Sequence, residues 1–344
     1  MARIRRHPGR FLVLGILLCL AVCTGILLYR SKYCLTEAQY TVQSDKITSP
    51  VRVVQLTDLH NSTFGRDNEK LAELVAQAQP DLIFITGDLL NANVERTDIA
   101  TGIITKLSAI APVYVSLGNH ETEYLERYGT DLTPLYQDAG ATVLEQDYVD
   151  VTVHGQNLRI GGLYSYCLSW RYLDSGEADP AECAFLSEFQ DTDAYTMLLC
   201  HMPVCWIQGN SLEDWDVDCV FSGHIHGGQI ILPGIGGVYA PDMGWFPGRL
   251  RGLYPSADGK STVVLSSGLG NTEWIPRFHN VPEIVTVDFF AGTGGITDQG
   301  ESNGRNSELI LNGTPGGPAA GAGELGAAAG NGAVGGAISA GRGA

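Results

Sequence analysis

Val51-Arg52-Val53-Val54-Gln55-Leu56-Thr57-Asp58-Leu59-His60 is a short apolar run that ends abruptly in a carboxylate and an imidazole. A run of this length, rich in valine, predicts a buried strand with the polar pair just beyond its end. The same arrangement recurs along the chain. Residues 82–85 lead into Thr86-Gly87-Asp88, and residues 113–117 into Gly118-Asn119-His120-Glu121. Residues 196–200 lead into His201, and residues 217–221 into Ser222-Gly223-His224-Ile225-His226. Between the first three strands, Leu71, Leu74, Val75 and Ala78, then Ile99, Ile103, Ile104 and Leu107, fall at helical spacing. Residues 158–163, 263–265 and 284–287 read as further strands. Alternation of strand and helix in the first half, with mostly strands in the second, predicts an α/β domain over residues 51–290 whose sheets are covered by helices.

Strand ends on one edge of a sheet converge on a common crevice. Five of the eight histidines, His60, His120, His201, His224 and His226, lie at such ends together with Asp58, Asp88 and Asn119. A lone histidine after a strand is ordinarily a surface or satisfied core residue; five of them joined by two aspartates and an asparagine point to a metal site. Gly87, Gly118 and Gly223 stand immediately before the polar residues, where they let the backbone turn sharply and approach closely. Imidazole nitrogen mixed with carboxylate and amide oxygen suits Mn2+, Fe or Zn2+ better than Ca2+ or Mg2+. Asp58, His60, Asp88, Asn119, His201, His224 and His226 are too many ligands for one tetrahedral zinc and fit two metals with a shared carboxylate.

The ordered set of Asp58-x-His60, Gly87-Asp88, Gly118-Asn119-His120-Glu121, His201 and Gly223-His224-x-His226 resembles the calcineurin-like metallophosphoesterase superfamily across nearly all of residues 51–290. Thr57-Asp58-Leu59-His60, Gly223-His224-Ile225-His226-Gly227-Gly228-Gln229 and Arg251-Gly252-Leu253-Tyr254 are similar to its bacterial membrane-associated branch of YkuE- and YaeI-type phosphodiesterases, as are Ser266-Ser267-Gly268-Leu269-Gly270, Pro276-Arg277-Phe278 and the strand from Pro282-Glu283. The resemblance implies a four-layer α/β/β/α sandwich and two divalent metal ions, Mn2+ foremost with Fe or Zn2+ as alternatives. Asp58, His60 and His226 would hold one with Asp88, and Asn119, His201 and His224 the other with Asp88, which bridges. Asn91 stands where iron-containing purple acid phosphatases place a tyrosine, which disfavours a ferric–tyrosinate centre.

It further implies phosphoester hydrolysis with a metal-bridging hydroxide as nucleophile and His120 as general acid. Glu121 would support or cap rather than ligate. A phosphodiesterase at the membrane surface is the leading expectation, and a phosphomonoesterase the alternative within enzymes. A non-catalytic metal-binding scaffold of the same fold would predict loss of a ligand or of His120, yet all eight residues are present. The expected partner is a phosphoester substrate, phospholipid- or nucleotide-linked, with Trp170, Arg171 and residues 242–249 as candidate contacts.

The flanks set the location. Phe11 to Tyr29 is an uncharged apolar run just long enough to span a bilayer at about 1.5 Å per residue. Arg3, Arg5, Arg6 and Arg10 precede it, and only Arg30 and Lys32 follow. This bias predicts a cytoplasmic N-terminus (residues 1–10), a single-pass membrane anchor (11–29), a linker or first strand (30–50) and an extracytoplasmic catalytic domain at the cell membrane. A retained signal anchor fits better than a cleaved signal peptide, since no small-x-small site follows cleanly. It also fits better than a lipoprotein signal, since Val22 replaces the small residue before Cys23. Arg5-Arg6 is not followed by a twin-arginine pattern. From residue 291 onward Gly and Ala dominate, which predicts a disordered tail to residue 344.

Lys+Arg 21 against Asp+Glu 38 gives −17, which argues against a general nucleic-acid surface. None of the eight cysteines forms Cys-x-x-Cys. Cys200 and Cys219, inside apolar runs, read as small buried hydrophobes. Cys167 and Cys183 are the better bridge candidates outside the cytoplasm.

Overall fold

The computed structural model describes residues 8–166, 179–209, 211–271, 276–293 and 295–301. Helix α1, Pro8–Tyr33, is followed by β1, Thr36–Ser44, and β2, Val51–Leu56. Then come α2 (Glu69–Ala78), β3 (Leu82–Thr86), α3 (Asp98–Ser108), β4 (Val113–Ser116), α4 (Asn119–Tyr128), α5 (Thr133–Asp138) and β5 (Ala141–Val143). The second half holds β6 (Asp147–Val153), β7 (Gln156–Ser165), α6 (Pro180–Phe189), β8 (Tyr195–Met202), the single turns α7 (Val204–Ile207) and α8 (Ser211–Asp214), and β9 (Cys219–Ser222). Two small hairpins follow, β10–β11 (Ile231–Leu232, Gly236–Gly237) and β12–β13 (Tyr239–Ala240, Gly244–Trp245). The last strands are β14 (Gly252–Pro255), β15 (Thr262–Leu265), β16 (Glu283–Ala291) and β17 (Gly295–Glu301).

The strands form two main sheets, β17-β1-β16-β2-β3-β4-β5 and β14-β15-β9-β8-β7-β6. Their alternation fixes the layers, because successive side chains of a strand point to opposite faces. Val53, Leu82, Phe84, Met197, Leu199, Phe221 and Val264 meet in a core between the sheets. Val54, Leu56, Ile83 and Ile85 face the other way, onto Leu71 and Val75 of α2, Ile103 and Leu107 of α3, and Tyr136 of α5. Leu198, Cys200, Val220, Val263 and Leu265 pack outward against Phe185, Leu186 and Phe189 of α6 and Trp206 of α7. The result is the expected α/β/β/α sandwich. Burial on both faces explains why β2, β3, β8 and β9 read as continuous apolar runs.

Connectivity aims the site. β2, β3 and β4 run parallel, as do β7, β8, β9 and β15. Their C-terminal ends therefore open along one edge of each sheet, and both edges face the same crevice.

Of three expectations about the flanks, two differ in detail and the linker-or-strand alternative resolves as a strand. Helix α1 continues beyond the apolar run at both ends, since polar residues outside a span can prolong the helical ladder. The segment after it is strand β1, whose Ala38, Tyr40 and Val42 alternate into the inter-sheet core. The start of the tail is corrected as well: β17 pairs antiparallel with β1 beyond residue 291. Composition does not reveal a strand at a sheet edge, where backbone pairing rather than apolar burial holds it.

Cys200 and Cys219 are buried among apolar side chains. Burial pushes the Cys200 thiol up to about 12. Cys167, Trp170 and Arg171 lie outside the described residues.

Candidate metal centre

The loops after the parallel strands do not continue as ordinary turns. Asp58, His60, Asp88, His224 and His226 all have positive φ, between 47° and 68°. Left-handed backbone at a non-glycine residue costs about 1–3 kcal/mol and persists only where surrounding contacts fix it. The contacts are visible. Asp58 and His60 donate their backbone N–H groups to Gly87 and Asp88 carbonyls at 3.1 and 3.0 Å. The His224 N–H donates to the Asp58 carboxylate at 3.1 Å, so the second sheet's loop is laced to the first sheet's. Gly118 permits a close approach, for a Cβ there would sit 2.2 Å from Asp88 Oδ1.

Glu121, in the first turn of α4, organises the Asp88 loop. Its carboxylate accepts the N–H groups of Asp88, Leu89 and Gly118, each at 2.8 Å, and the Tyr136 hydroxyl at 3.3 Å. It is a capping and supporting residue, as the sequence suggested. Burial and the nearby Asp88 raise its pKa.

Potential ligand atoms of Asp58, His60 and His226 lie within 4.8 Å of one another, as do those of Asp88, His201 and His224. His60 Nε2 is 3.8 Å from Asp58 Oδ1 and 3.6 Å from Asp88 Oδ2. His201 Nε2 is 3.2 Å from Asp88 Oδ2, and His226 Nε2 is 3.6 Å from Asp58 Oδ1. His120 joins His60 and Asp88 in a third group.

The far ring nitrogens set the tautomers. Asn91 donates its amide to the His60 carbonyl, which leaves Asn91 Oδ1 to accept from His60 Nδ1 at 3.0 Å. His201 Nδ1 donates to the Thr86 carbonyl at 2.6 Å, and His224 Nε2 pairs with Asp242 at 2.7 Å. A histidine held in this way turns its other nitrogen's lone pair to a metal. His60 Nε2, His201 Nε2, His226 Nδ1 and Asn119 Oδ1 are buried without hydrogen-bond partners. Orphaned His60 and His201 nitrogens beside Asp88, with Asn119 and His226 atoms also unpartnered, fit a group that the protein is built to hold.

The electrostatics of the cluster agree. Burial opposes charge on Asp58 and Asp88, but the neighbouring histidines outweigh it, and both carboxylates fall below the usual range. Burial also opposes charge on His201, yet Asp88 and Asp58 raise it to about 10. His226 goes the other way; burial dominates and lowers it to about 3. Burial lowers His120 as well. Its Nδ1 accepts the Ala92 N–H at 3.1 Å, which places the proton of the neutral ring on Nε2.

Several contributors were not legible beforehand. Asn91 entered the sequence reading only for the tyrosine it replaces, but it orients His60. Asp242 lay in the suspected substrate stretch, and it turns inward to His224 while Trp245 and Phe246 face out. Arg277, from the late Pro-Arg-Phe motif, is buried and donates to the Gly270 and Ser267 carbonyls, bracing the loop whose Leu269 and Gly270 N–H groups bond the carbonyls of Thr57 and Asp58.

The family described as calcineurin-like phosphoesterase matches residues 51–228, which contain every one of these candidate ligands. The chain belongs to this family. It is accordingly a metal-dependent phosphoester hydrolase of a family with dinuclear centres. The metallophosphoesterase YkuE of Bacillus subtilis is 26% identical over 269 residues, covering 76% of this chain and 87% of that protein. A metallophosphoesterase of Aquifex aeolicus is 25% identical over 280 residues, covering 78% and 97%. The UDP-2,3-diacylglucosamine pyrophosphatase LpxG of Chlamydia muridarum is 25% identical, covering 68% and 82%. Among solved structures, a dimetal phosphatase from Danio rerio aligns with a TM-score of 0.39 at 14% identity, covering 64% of this chain and 88% of that one.

Proposed function

We propose that this phosphoester hydrolase is a phosphodiesterase working at a membrane surface. Asp58, His60 and His226 hold one metal with Asp88, and Asn119, His201 and His224 hold the other with Asp88 as the bridge. The observation that carries the ligand assignment is the set of orphaned nitrogens and the amide oxygen around two carboxylates. When bound, such a pair supplies Lewis-acid charge and an activated water to a phosphoester. Imidazole nitrogen mixed with carboxylate and amide oxygen suits Mn2+, Fe or Zn2+, and Mn2+ is the first to be tried.

His120 serves the leaving group as its acid. The Ala92 contact at Nδ1 leaves Nε2–H as the donor, and the lowered pKa favours the neutral ring. It therefore acts first by hydrogen-bonding the leaving oxygen as negative charge gathers there.

Membrane action rests on α1, whose Gly9–Tyr33 segment is long and apolar enough to cross a membrane. The arginine excess before it favours a cytoplasmic N-terminus and an extracytoplasmic catalytic domain. A phospholipid-like or otherwise lipid-linked phosphoester follows from that location, and LpxG, named for a diacylglucosamine substrate, supports the same class. The deciding experiment is turnover by the full chain in detergent, loaded with Mn2+, on bis- and mono-p-nitrophenyl phosphate. Diester preference is expected. Monoester preference would overturn the phosphodiesterase assignment.

A further inference from the structure

Outside α1, seven large apolar side chains are exposed among the described residues. Four of them fall between residues 235 and 246: Ile235 at 64%, Tyr239 at 40%, Trp245 at 71% and Phe246 at 59% exposure. They belong to the two hairpins β10–β11 and β12–β13 and to the residue just after. Tyr239 and Trp245 rings are 5.3 Å apart, and Trp245 and Phe246 rings 6.5 Å apart, so three of the side chains form one patch. Positive φ at Gly236, Gly244 and Phe246 folds the segment tightly, which holds these rings outward instead of letting them collapse inward. A cluster of exposed aromatic and aliphatic groups marks an interaction surface.

The same segment is linked to the end of the apolar helix indirectly, through the turn after His226 and Asn280. Tyr29 and Tyr33, 5.2 Å apart, and Lys32 form the kind of aromatic and basic collar that sits at lipid headgroups. Ser31, within that collar, is buried, and its hydroxyl accepts the Asn280 N–H at 3.2 Å. The Asn280 amide donates to the His226 carbonyl at 2.7 Å. From the adjoining turn, the Gly228 and Ile230 carbonyls accept the Val238 N–H, and the Val238 carbonyl accepts the Phe246 N–H at 2.9 Å. Ser31 of the collar is thus connected to the aromatic hairpins through Asn280 and the 226–230 turn.

We propose that Ile235, Tyr239, Trp245 and Phe246 form a lipid-docking surface that seats in the headgroup–acyl boundary of the bilayer crossed by α1. Aromatic rings with polar edges prefer that boundary, and burying the four side chains there removes apolar area from water. Docking holds the crevice over the bilayer, where a headgroup phosphate can enter it. Asp242, in the turn between β12 and β13, reaches His224 from the same hairpin and ties the docked segment to the crevice. The inference rests on the membrane reading of α1 but not on turnover.

The test reconstitutes the full chain into phosphatidylethanolamine–phosphatidylglycerol vesicles carrying bromines at shallow acyl positions. Tryptophan emission should show a quenched component that is lost in Trp245→Phe and weakened in Ile235→Asp. Both substitutions fall on exposed side chains, so the fold is retained. Flotation with the vesicles reads α1 separately. A chain that floats with no Trp245-dependent quenching overturns the docking surface while leaving the anchor intact. A chain that does not float overturns the membrane reading and the docking surface with it. Shielding of Trp245 from aqueous quencher without bromolipid quenching, together with doubled mass in detergent, would assign the patch to a second copy and overturn the lipid assignment.

Discussion

The loops after β2, β3 and β4 bring Asp58, His60, Asp88 and Asn119 to the crevice, whereas the second sheet brings only imidazoles, His201, His224 and His226. The two sides are also fastened differently. On the first sheet, Glu121 gathers three backbone amides deep inside the fold. On the second, His224 is held by Asp242 from an exposed hairpin, and the His226 carbonyl by Asn280, whose own N–H bonds the Ser31 hydroxyl of α1. The oxygen-bearing side is a floor fastened from within the fold, and the imidazole side is braced from an exposed hairpin. Neither sheet holds a complete ligand set alone, so the centre forms only when the sandwich closes.

The largest effect should come from the residue shared by both sides. Asp88→Ala should remove both metals and all measurable hydrolysis, as read by metal content and turnover; retention of one full metal equivalent would break the bridging assignment. Next, His120→Ala should keep its metals but lose about 10²–10⁴-fold in turnover. The loss should be steepest for diesters with poor leaving groups, and equal loss across leaving groups would remove its role toward the leaving oxygen.

The difference in fastening is tested by a pair of variants. Glu121→Ala strands three buried N–H groups and should lower global stability by about 3 kcal/mol or more, measured by denaturant unfolding. Asp242→Asn should leave global stability nearly unchanged and weaken metal affinity by about 10–100-fold. Turnover should return at saturating metal. If instead Asp242→Asn unfolds the domain and Glu121→Ala does not, the contrast between floor and brace is wrong.

The smallest effect is on pH. In the metal-free fold His201 is raised to about 10, against about 6.5 for an unfolded histidine. The fold then favours the charged ring, so this contribution is complete below about pH 6.5 and is lost as pH rises through about 10. Chelated protein should show a melting temperature that declines over that window, and His201→Asn should flatten the decline. Metal binding at neutral pH should also release a proton from His201, which a pH-stat titration would record.

The order of strands and the polar residues at their ends were legible because burial on both faces leaves continuous apolar runs, and each run stops where the chemistry begins. The missed elements β5, β6 and β17 lie at sheet edges. There one face or one side is solvated, and the signal is a weak alternation such as Val149, Val151 and Val153. Asn91 and Asp242 gave no readable signal of their partners, because their contacts to His60 and His224 bridge 31 and 18 residues of chain.

By itself the sequence determined the α/β character, the apolar helix, and which residue types gather at strand ends, since these depend on local pattern. Only the tertiary structure decided which imidazole nitrogen is held and which is left free, how the two sheets' donors face one another, and that Asn280 joins the His226 loop to Ser31 of the apolar helix. Those depend on contacts between segments far apart in the chain, fixed by the packing of one sheet on the other.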